Sequence, residues 1–122
     1  MTFDKFTIKA QEVVQEAVNT AQMNGQQTIE PIHVLKGILT KAKDVSTFIF
    51  QKLGVNANQV AMLVDQEIQH LPKVQGGQPY LSNDANSVLT KAMDTAMQMG
   101  DEFVSVEPIL LALLTVNSTA SR

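Results

Sequence analysis

Shifted by 75 residues, the chain overlays itself without a gap, so that Ala10 falls on Ala85. Val13 then meets Val88, Ala17 meets Ala92, Thr20 meets Thr95, Ala21 meets Ala96 and Gly25 meets Gly100. Further along, Ile29 faces Val104, Leu35 faces Leu110 and Leu39 faces Leu114. In each copy the apolar residues keep the i, i+3, i+4, i+7 spacing of an amphipathic helix. Each closing glycine sits where a helix end favours the left-handed C′ conformation. Any two amphipathic helix pairs share some pattern, but cap, stripe and glycine recurring together without a gap point to duplication. The expected architecture is therefore all-α: a pseudo-twofold duplicated helical repeat in which each copy supplies half of a shared core.

Five or six helical segments can be read, and no convincing strand. The first spans Ile8 to Asn24, with Thr7 as N-cap and Gly25 as C′ residue. A second opens at Pro31, a good first-turn residue, and carries Val34, Leu35, Ile38 and Leu39. A third runs from about Val45 to Leu53 and stops at Gly54, and a fourth is capped by Asn56 and ends near His70, before Pro72. Lys73 to Tyr80, with Gly76, Gly77 and Pro79, reads as a connector. Ser82 or Asn83 caps a fifth helix ended by Gly100, and Ser105 caps a sixth. The single domain over 1–122 then divides into repeat one (about 1–71), a linker (about 72–80), a partial repeat two (about 81–116) and a polar tail (117–122). Counterparts of the helices that follow Leu39 would reach about position 145, so the second copy is expected to be truncated, or the chain to be a piece of something longer.

Composition narrows the function. The apolar share of 44% suffices for a core, and a net charge of -3 with scattered Lys and Arg argues against a nucleic-acid footprint. No cysteine is present, so there is no disulfide, thiolate nucleophile or common structural zinc site. The N-terminus lacks the apolar run of a signal peptide, and Ile109 to Leu114 is too short to span a bilayer. A soluble, cytoplasmic domain without membrane contact is expected. There is no phosphate-cradling glycine loop, no G-x-S-x-G elbow, and His33 and His70 lack metal-ligand spacing. No catalytic residue, cofactor or metal is expected on this chain.

What remains is surface. Gly100 to Glu107 places carboxylates and an aromatic at a helix start. Glu107 there either just complements the helix dipole or joins a binding site, and Phe103 either fills the core or presents an aromatic contact. Met93 and Met97, one turn apart, suit an adaptable apolar groove or serve as gap-fillers.

The stretches Asp4 to Glu12, Ile29 to Leu35 and Gly100 to Ser105 resemble the Clp N-terminal repeat domain, and Leu71 to Gly76 is most similar to its ClpB-type branch of disaggregase chaperones. The match runs from about Thr2 to Val116. Where the family often carries Glu-His at the start of each second helix, this chain has Ile32-His33 and Glu107-Pro108. The resemblance implies a substrate-recognition module in a stress-response chaperone. Unfolded or aggregated polypeptide would be its partner, with an adaptor or co-chaperone as a further one. ATP and magnesium would belong to ATPase modules of the parent protein, a hexameric ring. It also implies substrate handling by Thr7, Asp101 and Glu107; the apolar contacts beside them are expected from a groove involving Met93, Met97 and Phe103. The alternative it implies is an adaptor-docking domain of the ClpA/ClpC type; a helical spacer without a binding role is the third reading.

Overall fold

A computed structural model describes residues 3–74 and 76–115; the tail at 117–122 lies outside them. Among these residues six helices are formed: α1 (Ile8–Met23), α2 (Pro31–Lys41), α3 (Lys43–Lys52), α4 (Ala57–His70), α5 (Asn83–Gln98) and α6 (Val106–Thr115). Two-residue strands β1 (Thr28–Ile29) and β2 (Tyr80–Leu81) pair in parallel. The all-α duplicated reading holds, and the strands are an addition to it. They arise because each short stretch satisfies its backbone groups on a remote partner, and two residues leave no alternating pattern to read.

The duplication is written into the hydrogen bonds. Thr7 Oγ1 accepts from the Ala10 N–H at 3.1 Å, and Ser82 Oγ accepts from the Ala85 N–H at 3.0 Å. The Thr7 N–H donates to the Val104 carbonyl at 2.9 Å, as the Ser82 N–H does to Ile29 at 3.0 Å. The residue before each copy's first N-cap thus pairs with a residue between the other copy's two helices: Phe6 with Val104, and Leu81 with Ile29. This reciprocal exchange ties the copies together and fixes the pseudo-twofold arrangement.

Helix ends repeat as well. The Gly25 N–H donates to Gln22 O and the Gln26 N–H to Ala21 O; Gly100 and Asp101 do the same to Met97 and Ala96. Both glycines have positive φ, 68° and 75°, completing two Schellman caps. A Cβ at Gly100 would meet nothing within 4 Å, so substitution there strains only the backbone. Gly100→Val is expected to lower stability by more than about 1 kcal/mol, with Gly25→Val at least as costly. Urea denaturation checks this; an unchanged midpoint would show that the left-handed cap carries no stability.

The core lies between the copies. From α1 come Ala10, Val13, Ala17 and Ala21, from α2 Val34, Leu35 and Ile38, from α5 Val88, Leu89 and Ala92, and from α6 Ile109, Leu110 and Leu113. Alanine on the first helices lets the second helices approach closely. The α2–α3 junction is tighter than its sequence suggests: Ala42 alone separates them, and α3 begins at Lys43 rather than Val45. The Ser46 hydroxyl, fully buried, donates to the Lys43 carbonyl at 3.0 Å and steadies that start. Asn56 caps α4, and Lys36 on α2 reaches Asp65 on α4 at 2.8 Å.

Candidate functional site

The loop between α5 and α6 gathers most of the residues singled out above. The Schellman turn at Gly100 ends α5 and projects Asp101 and Glu102 into solvent. Two residues later the chain is caught by the bridge to Phe6, in which the Val104 N–H donates to the Lys5 carbonyl at 2.7 Å. Val104 is the buried anchor, while Phe103 stays 47% exposed. Core filling at this loop is therefore the task of Val104, and Phe103 offers much of its ring to solvent.

The same bridge sets Thr7 directly beside the loop. Its backbone N–H is bound to Val104 and its hydroxyl oxygen caps α1, so its O–H remains a donor. Glu107 lies in the first turn of α6, exposed, where the helix dipole favours a carboxylate. Met97 is 75% exposed in the last turn of α5. Met93, one turn earlier, is partly buried against the core. The bridge thus brings Thr7 beside the loop that carries Asp101 and Phe103, with Glu107 in the turn that follows it; Met97 precedes the loop in the last turn of α5, and Met93 is turned further inward.

Sequence reasoning passed over Met99, the C-cap of α5, which is 70% exposed. Its signal was available, since it continues the methionine run past the stripe. Charge distribution was a second missed signal. From Ala92 to Thr115 there are Asp94, Asp101, Glu102 and Glu107 and no Lys, Arg or His. Four of the nine basic residues, Lys36, Lys41, Lys43 and Lys52, fall instead on α2 and α3. The loop segment itself is therefore acidic, and the bridge brings Lys5 of the N-terminal segment against it.

The equivalent loop of the first copy has the same backbone and different chemistry. Gln26, Thr28 and Ile32 stand where the second copy has Asp101, Phe103 and Glu107. Here Gln26 is buried, bonded to His33 Nε2 at 2.7 Å and donating to the Ile68 carbonyl at 2.6 Å. His33 Nδ1 accepts from the Glu30 N–H at 2.8 Å, which leaves the proton on Nε2. Burial lowers the His33 pKa to about 4, so the ring is neutral near pH 7. One loop is closed by a polar relay, and its twin presents its side chains outward.

Cavities among the described residues are lined by other side chains. One of about 760 Å³ separates the end of α1 from the connector, lined by Gln22, Gln26, Gln27, Lys73 and Val74. Another of about 520 Å³ lies among α2, α3 and α4, and a third of about 410 Å³ runs along α1 past Phe3, Ile8 and Val18. Among the described residues no group of three or more His, Cys, Asp or Glu is placed to hold a metal ion. No helix among them is long and apolar enough to cross a membrane.

The model of the Clp repeat (R) N-terminal domain matches residues 5–122. The chain is 60% identical over 121 residues to the chaperone protein ClpB of Bacteroides thetaiotaomicron and 45% identical to that of Porphyromonas gingivalis. It covers 99% of itself and 14% of each relative, so it spans about one-seventh of their length. Among solved structures, the Hsp104 N-terminal domain of Candida albicans aligns with a TM-score of 0.79 at 24% identity, over 93% of this chain and 75% of that one. The N-terminal domain of the ClpV1 ATPase of E. coli aligns with a TM-score of 0.86 at 19% identity, over 98% and 73%. These two likenesses establish the shared fold. With the family model spanning nearly the whole chain, the chain belongs to the Clp repeat N-terminal domain family and groups with its ClpB-type chaperone members.

Proposed function

We propose that this chain is the substrate-recognition module of a ClpB-type, ATP-dependent disaggregase. It binds exposed apolar segments of unfolded or aggregated polypeptide and delivers them to ATPase rings that lie outside this chain. The observation that supports the reading is the exposure of Met97, Met99 and Phe103 just before and within an acidic loop that lies beside Thr7. Flexible thioethers and one aromatic ring adapt to many apolar partners. Thr7, Asp101 and Glu107 supply polar anchoring through a hydroxyl donor and two carboxylate acceptors, and Met93 forms the inner edge.

Titration with a reduced, carboxymethylated polypeptide, followed by backbone amide shifts, tests this. Shifts are expected at Thr7, in 101–107 and at the end of α5. Phe103→Ser is expected to weaken binding about tenfold, because losing the contact of a half-exposed ring costs about 1.5 kcal/mol. Shifts confined to other surfaces would remove the site assignment. Saturable, stoichiometric binding of one folded protein, with indifference to unfolded chains, would favour adaptor docking instead.

A further inference from the structure

Three of the six methionines, Met93, Met97 and Met99, fall within seven residues at the end of α5. Their exposure is graded: Met97 is 75% exposed, Met99 70% exposed, and Met93 is packed against the core. The chain has no cysteine, so thioethers are the only sulfur chemistry it offers. The two exposed side chains lie in the last turn of α5 and at its C-cap, just before the Gly100 turn that opens the acidic loop, and neither supports the core. Oxidation at these positions therefore changes what the surface offers without disturbing the packing beneath it.

We infer that Met97 and Met99 form a reversible oxidation switch, by which hydroperoxides lower the affinity of this surface for apolar polypeptide. This rests on the function proposed above and adds a regulation to it. Hydrogen peroxide transfers one oxygen to a thioether sulfur. An S–O bond forms, the O–O bond breaks, the sulfur is oxidised and the peroxide leaves as water. The oxidant is neutral, so the surrounding carboxylates do not repel it. The resulting sulfoxide is strongly polar and prefers water to an apolar partner. Its exposure leaves it open to methionine sulfoxide reductases acting with a thiol reductant.

Met23 and Met62 provide an internal control. Both are exposed, on α1 and α4, outside the acidic loop. Peroxide treatment of the full chain, followed by peptide mass mapping, is expected to oxidise Met23, Met62, Met97 and Met99 before Met93. The ratio of affinities for a fluorescent reduced, carboxymethylated polypeptide, before and after oxidation, is expected to be about tenfold. The ratio should persist in Met23→Leu/Met62→Leu, fall to one in Met97→Leu/Met99→Leu, and return to one after reductase treatment. Helical circular dichroism should remain unchanged throughout. An unchanged affinity with Met97 and Met99 fully oxidised, in a chain whose binding is still lost in Phe103→Ser, overturns the switch and leaves the binding site standing. Loss of affinity that persists in Met97→Leu/Met99→Leu also overturns it. Absence of binding by the unoxidised chain overturns both readings.

Discussion

Gly37→Ala is expected to destabilise the domain by about 2–3 kcal/mol, against the direction that helix propensity alone demands. At an exposed mid-helix site, alanine in place of glycine gains about 1 kcal/mol. Gly37 lies in the second turn of α2 and is buried against α1. A Cβ there would collide with the Val13 carbonyl oxygen, and would lie 3.2 Å from the Val13 carbonyl carbon and 3.3 Å from its Cγ1. The obstacle is helical backbone, which cannot rotate aside, so the two helices must separate and loosen the contacts of Val34 and Ile38. Overpacking of this kind typically costs about 1–3 kcal/mol, and valine at this position should exceed alanine. Urea denaturation of Gly37→Ala beside Thr40→Ala, an exposed control on the same helix, reads the effect. A Gly37→Ala midpoint at or above that of the parent would show that α1 and α2 do not approach as described.

The second copy explains why this contact escapes sequence reading. Position 112, the partner of Gly37 in the repeat, is a buried alanine. A single methyl group thus separates the two helix pairs, and a lone glycine inside a helical pattern carries no mark of what faces it. Features resting on local chemistry were legible. Thr7, Asn56 and Ser82 cap helices because their side-chain oxygens reach the second or third amide of the next turn, and Gly25, Gly54 and Gly100 close them because they accept positive φ. Features resting on long-range pairing were not. The β1–β2 ladder and the Phe6–Val104 bridge join residues more than fifty positions apart, and their short stretches carry no period of their own.

The candidate site divides along the same line. Asp101, Phe103 and Glu107 stood out as an unusual composition at a helix start, and the fold sets Thr7 beside them through the bridge. Exposure of Phe103 depends on Val104 taking the buried place, which is settled by the register of that bridge. Likewise the closure of the first-copy loop depends on Gln26 and His33, seven residues apart, meeting the end of α4. Once the backbone is duplicated, the two loops are free to diverge, and here one is closed by a buried relay while the other keeps Asp101, Phe103 and Glu107 exposed.

That division gives the second large effect. The His33 relay is expected to make the domain markedly less stable in mild acid. In the folded chain burial holds the His33 pKa near 4, while the unfolded ring titrates near 6.5. Between these values the unfolded chain takes up a proton that the folded chain refuses, so stability falls as pH drops from above 6.5 towards 4. Below 4 this group adds no further loss. The full contribution is about 3 kcal/mol, a large share of a typical domain's 5–15 kcal/mol. Protonation at Nδ1 would also set two donors, the ring N–H and the Glu30 N–H, against each other. His33→Asn keeps an acceptor for Glu30 but leaves the Gln26 carbonyl oxygen without its donor, and should cost about 1–3 kcal/mol near pH 7.5. Urea denaturation of both chains at pH 7.5 and 4.5 isolates the effect, because every other titrating group is common to them. The difference between the chains should shrink as pH falls, while at pH 7.5 polypeptide binding at the Asp101 to Glu107 loop stays unchanged. Equal pH dependence in the two chains would mean that His33 titrates alike folded and unfolded, and that the relay does not hold its proton in place.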